Sequence, residues 1–269
     1  MTPPIVNTSE ETVILNVEDF FVTQSFQSKS PIDEYYKVTT EIVRLTDPAL
    51  LVTNPVLSQL IILGVVSAVE GYLRAIFCEI LDTCPFARKH AASKQIRFGA
   101  LDYYEFNRLA EALFDMSSFA SHSETKSKTR ELLGMEFNKG SSIEVALVNF
   151  DMVCNLRHCA IHSGGTLNAH NAKELGLSKD YVNKKLQPNS VSLQDAMKIC
   201  HSFVRAFNQF AFNETFKRWI PQRFRGNWKS EKRQFITLID IFWSKTDNGD
   251  CAYNGVYRNS VPRLPQLSR

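Results

Sequence analysis

Apolar residues recur along this chain at spacings of three and four, and that rhythm divides it into a succession of helices. A first helix should begin after Ser30, which can cap it, with Pro31 at the first helical position. "IDEYYKVTTEIVRL" follows, and Asp47 and Pro48 stop it. Asn54 and Pro55 repeat the start signal. The stretch they open, to about Leu81, is apolar nearly all the way round, which predicts a helix at the centre of a bundle. After an irregular, basic segment over 84–96, a helix is expected around "LDYYEFNRLAEALFDM". Residues 117–129 are rich in Ser, Thr and Lys, the composition of a loop or a short solvated helix. Ser141 and Glu144 stand at capping-box spacing ahead of "IEVALVNFDMVCNLRHCAIH", and Gly164 and Gly165 end that helix. Ser192 is the expected cap of a last long helix that Pro221 closes.

Two stretches read differently. "TVILNVEDFFV" near the start and "RQFITLIDIFW" near the end mix β-branched and aromatic residues in partial alternation. They predict small β elements near the N- and C-termini, able to pair with each other. The expected fold is therefore mainly α: an antiparallel four- to five-helix bundle over residues 51–220. An extension over 1–50 precedes it, and a basic, aromatic extension over 221–269 follows.

At 269 residues and 30.6 kDa the chain can bury one sizeable core, and 44% apolar with 22% charged residues is the composition of a soluble globular protein. The longest apolar run, 55–77, is interrupted by Ser58, Gln59, Ser67, Glu70 and Arg74, so it reads as a buried helix rather than a membrane span. The first residues lack a signal-peptide pattern, and the expected compartment is the cytoplasm, with no membrane partner. Six scattered cysteines, never in a CxxC pair, read as small buried thiols.

A net charge of +3 demands no polyanion, but its distribution is uneven. Lys217, Arg218, Arg223, Arg225, Lys229, Lys232 and Arg233 lie close together, interleaved with Phe216, Trp219, Phe224 and Trp228. Cations for phosphates and flat rings for bases are what single-stranded nucleic acid binding uses. The same pattern also suits a solvated turn whose aromatics belong to the core.

Chemistry concentrates in "NLRHCAIHSGG". On a helix over 143–162, Ile143, Ala146, Leu147, Phe150, Val153 and Ile161 form one apolar flank. Val145, Val148, Met152, Leu156 and Cys159 form another. Between them Glu144, Asp151, Asn155, His158 and His162 fall on one narrow polar stripe. Arg157 lies off it, about 140° from His162. Those two side chains can meet only if the last turn unwinds, or if a second copy of the helix supplies the missing partner. A zinc reading is also open, since Cys154, His158 and His162 stand at i, i+4 and i+8, with His122, His170 or His201 as a fourth ligand. No glycine-rich phosphate loop, GxSxG elbow or kinase signature occurs.

"RHCAIH" resembles the motif of the HEPN superfamily: an Arg, a polar residue, a few further positions and a closing His, near the end of an internal helix of an α-bundle. "GVVSAVEGYLRAIFCEIL" is similar to the first long helix of that family, which often carries a glutamate, here Glu70. The resemblance covers roughly residues 50–215. It implies a metal-independent endoribonuclease without cofactors, usually a homodimer whose two motifs line one basic cleft, of the toxin or antiphage abortive-infection type. Arg157 would hold the scissile phosphate, His162 would move protons and His158 would orient the site, supported by Asn155 and Glu70. Lys217, Arg218, Arg223, Arg225 and Lys229 would grip RNA. An antitoxin or regulatory partner protein would keep such an enzyme quiet. The competing expectation is a non-catalytic helical binding or scaffold protein.

Overall fold

The computed structural model of this protein describes residues 14–22 and 30–261, and they are mainly helical. Helix α1 (Pro31–Val43) starts at the Ser-Pro pair and buries Ile32, Tyr35, Tyr36 and Thr39, one helical stripe. Asp47 caps the short α2 (Pro48–Thr53) by accepting the Ala49 N–H at 2.7 Å. The centre is α3 (Pro55–Thr83), with Val66, Val69, Leu73, Ile76, Phe77 and Ile80 completely enclosed. By length and composition α3 is apolar enough to cross a membrane, and half of its most apolar window is buried inside the fold.

After α4 (Pro85–Ala91) come α5 (His122–Leu133), α6 (Ser142–His162), α7 (Ala169–Glu174), α8 (Ser190–Arg223), α9 (Trp228–Phe242), α10 (Lys245–Asn248) and α11 (Tyr253–Ser260). Helices α1, α6 and α8 surround α3, and α6 lies along α8. Phe150 stacks on Phe203 at 4.7 Å, while Phe137, ahead of α6, meets Phe207 and Phe210 further along α8. The two helices are thus antiparallel. One core extends from Ile32 to Val261, so the segments before residue 51 and after residue 220 share it.

The expected β elements do not form: among the described residues there is no strand, only an isolated bridge between Thr166 and Lys185. "RQFITLIDIFW" lies mostly in α9 because Phe235, Leu238, Ile239 and Phe242 repeat at helical spacing and all four reach the core. Of "TVILNVEDFFV", residues 12–13 lie outside the described residues. The rest is a 3₁₀ turn (Val17–Phe20) with flanking coil, its apolar side chains exposed and no neighbouring strand to pair with. The helix expected over 101–116 is two 3₁₀ segments, Phe98–Asp102 and Phe106–Phe114. Most of the Ser/Thr/Lys stretch is a helix, α5, which turns Thr125 and Thr129 inward and leaves Ser123 and Glu124 exposed. Asn189, not Ser192, caps α8. Pro221 sits inside that helix, whose end is held by Phe224 N–H donating to the Ile220 carbonyl.

His201 of α8 is wedged edge-on against Tyr35 and Tyr36 of α1, with ring centroids at 5.3 and 5.8 Å. Its buried Nδ1 has no hydrogen-bond partner among the described residues. Burial, and then the Arg205 guanidinium, hold its pKa below the usual 6.5, with Asp247 opposing. The native state therefore favours the neutral ring. Its contribution to stability is present above the unfolded pKa and is lost as pH falls through the folded one. Urea midpoints should drop more between pH 7.5 and 5 for the wild type than for His201→Phe. Equal drops would mean that this ring does not titrate on folding.

Candidate active site

Helix α6 opens on a reciprocal cap: Ser141 Oγ accepts the Glu144 N–H, and the Glu144 carboxylate accepts the Gly140 N–H at 2.6 Å. It stays regular through His162 and then stops. The Ser163 and Gly165 N–H groups both donate to the Cys159 carbonyl, with Gly164 and Gly165 at φ 54° and 76°. Gly165 is required for a second reason: a methyl there would overlap the Gln59 amide, which itself donates to the Leu186 carbonyl at 3.0 Å. The chain then folds back over the end of α6. Leu167 and Ala172 cover Cys159 in a small satellite core, and Lys185 Nζ donates to the Gly164 carbonyl at 2.6 Å.

The polar stripe of α6 divides into two halves. The N-terminal half is structural. Glu144 pairs with Lys126 at 3.1 Å, Asp151 accepts the His122 N–H that begins α5 at 2.7 Å, and Asn155 donates back to the Asp151 carbonyl at 3.0 Å. The C-terminal half is open. His158 and His162 are exposed on successive turns, their rings 4.4 Å apart and tilted by 42°. Partial burial, then His162, Arg157 and His170, hold the His158 pKa below the usual imidazole value. His158 therefore favours its neutral form, as a general base must.

Arg157 is half-buried and makes no hydrogen bond or ion pair among the described residues. Because α6 is regular through both positions, Arg157 and His162 point about 140° apart. The unwinding that would unite them within one subunit does not occur.

Other expected site residues are placed elsewhere. Glu70 accepts from Ser118 Oγ and the Phe119 N–H at 2.9 and 2.8 Å, so it holds the loop ahead of α5 rather than an imidazole. Cys154 is buried while His158 and His162 are exposed, and no group of three or more metal-ligating side chains gathers among the described residues.

The basic segment is far from the histidines. Arg218 donates to the carbonyls of Leu133 and Gly134, which precede α6. The 21 residues of α6 rise about 30 Å before His162 is reached. Lys217 pairs with Glu214 at 2.8 Å, Arg223 lies over the Trp219 ring at 5.4 Å, and Arg225 donates to the Pro221 carbonyl. Lys229 is exposed. Trp219 and Phe224 are buried, and Phe216 and Trp228 pack against the same core, so these rings are not displayed for bases.

His170, which the sequence offered only as a possible zinc ligand, lies close enough to act on His158, and Lys185, which the sequence did not single out, returns to the end of α6. The double glycine signals that the chain turns back, but not which later residues return to the helix end. Compared with models of protein families, with curated proteins and with solved structures, the chain matches none.

Proposed function

We propose that this protein is a metal-independent endoribonuclease of the HEPN type, acting as a toxin or antiphage effector on cytoplasmic RNA. The observation that carries the reading is the exposed His158–His162 pair, 4.4 Å between ring centroids, with His158 biased toward the neutral form beside Arg157, which has no hydrogen-bond or ion-pair partner among the described residues. His158 would take the proton from a 2′-hydroxyl, which attacks the adjacent phosphorus. Arg157 would neutralise the crowded phosphorane, and His162 would return a proton to the departing 5′-oxygen. The products are a 2′,3′-cyclic phosphate and a 5′-hydroxyl.

The divergence of Arg157 and His162 favours a homodimer in which each site takes its cation from one subunit and its imidazoles from the other. Val145, Val148 and Met152, exposed on the flank beside the polar stripe, form an apolar face that a second copy would cover. An antitoxin or regulatory partner would act by holding those subunits apart or by covering the pair.

The commitment of Asp151, Asn155 and Glu70 to structural hydrogen bonds favours a second reading, a non-catalytic helical binding protein. Purified protein incubated with total RNA in EDTA separates the two. Fragments ending in 2′,3′-cyclic phosphate are expected, and intact RNA at every enzyme concentration would leave the binding reading.

A further inference from the structure

At the end of the bundle away from the histidine pair, a cavity of about 530 Å³ opens between α4 and the last turns of α8, lined by Phe86, Lys89, His90, Arg218, Pro221 and Gln222. No carboxylate lines it among the described residues, and Lys89 has no ion-pair partner. Two of the lining residues, His90 and Arg218, pack on Gly134, which ends α5 in the left-handed region at φ 62°. The His90 ring lies so close on this backbone that a methyl there would overlap it, and the Gly134 and Leu133 carbonyls each accept from the Arg218 guanidinium. Two carbonyls thus fix the plane of Arg218. Those bonds use two of the five N–H donors of an arginine and leave the rest for a ligand.

We propose that this cavity binds the phosphate group of a nucleotide. Arg218 presents a fixed, always-charged fork, Lys89 adds a mobile ammonium and His90 adds a ring N–H, a donor set that matches a tetrahedral dianion. Phe86 supplies an apolar wall of the kind a base packs against. The volume accommodates a mononucleotide, and the exposed Arg223 and Arg225 nearby would extend the positive surface along a longer chain. The proposal does not rest on the nuclease reading, because no residue of the pocket belongs to the histidine site.

The test is titration calorimetry of the full chain with ATP, with inorganic phosphate and with an all-deoxy oligonucleotide, which lacks the 2′-hydroxyl needed for cleavage. Saturable binding is expected, weakened about tenfold or more by Lys89→Glu and by His90→Gln, both surface changes away from the core. Arg218→Gln, which keeps a donor for the carbonyl but removes the charge, should weaken it further. If its fold is disturbed, the two surface variants carry the test alone. Binding of ATP identifies a free nucleotide as the source, and binding of the oligonucleotide alone identifies a nucleic acid strand. Affinity unchanged in Lys89→Glu, or no binding of any of the three probes, overturns the proposal.

Discussion

Mixing Arg157→Ala protein with His162→Ala protein is expected to restore ribonuclease activity that neither has alone. Each single substitution should lower cleavage about 10²- to 10⁴-fold, the range for loss of a proton-transfer group or a transition-state cation. Because α6 is regular to His162, the two side chains of one subunit diverge. In the proposed nuclease a working centre would then combine Arg157 of one copy with His158 and His162 of the other. In a random mixture half of the dimers are heterodimers, and each has one intact site of two, so roughly a quarter of the wild-type rate should return. Recovery should follow the time course of subunit exchange. Two inactive proteins that stay inactive after full exchange, while the wild type cleaves, would place the whole centre within one subunit and remove the reason for a shared site.

Phe207→Ala is expected to cause the largest loss of stability of any single truncation considered for this fold, about 3–5 kcal/mol. Phe207 is completely enclosed, and its ring lies between 5.8 and 6.4 Å, centroid to centroid, from those of Tyr72, Phe77, Phe137, Phe203 and Phe210. It therefore links α3, α8 and the chain entering α6, and its removal leaves a cavity that three separate elements would have to close. A domain of this kind has about 5–15 kcal/mol in total, so the variant should sit near its folding threshold at 37 °C. Urea unfolding at 15 °C measures the difference, with Phe20→Ala as the exposed control. A loss below about 1 kcal/mol would mean that this aromatic cluster collapses around the gap at little cost.

The two outcomes report on separate properties. A fold organised by α3 and the phenylalanines of α8 stands whether or not the histidine pair cleaves RNA. Intact stability in His162→Ala beside lost activity would locate the defect in chemistry rather than folding.

The sequence by itself determined the features whose causes act within a few residues. Ser30–Pro31 and Asn54–Pro55 start helices because a fixed proline φ and a preceding non-helical residue suffice. Ser141 with Glu144 caps α6, and Gly164–Gly165 ends it, because only glycine enters the left-handed region without strain. The polar stripe and the angular separation of Arg157 from His162 follow from helical geometry alone. The tertiary structure decided everything that depends on a distant neighbour. It turned "RQFITLIDIFW" into helix by offering Phe235, Leu238, Ile239 and Phe242 a shared core, and it packed the rings between Phe216 and Trp228 against that same core. It used Glu70 and Asp151 to hold the segment leading into α5, and set Arg218 on the end of that helix, 85 residues away in sequence. Burial and long-range hydrogen bonds are properties of surfaces brought together by the fold, and no window of the chain contains both partners.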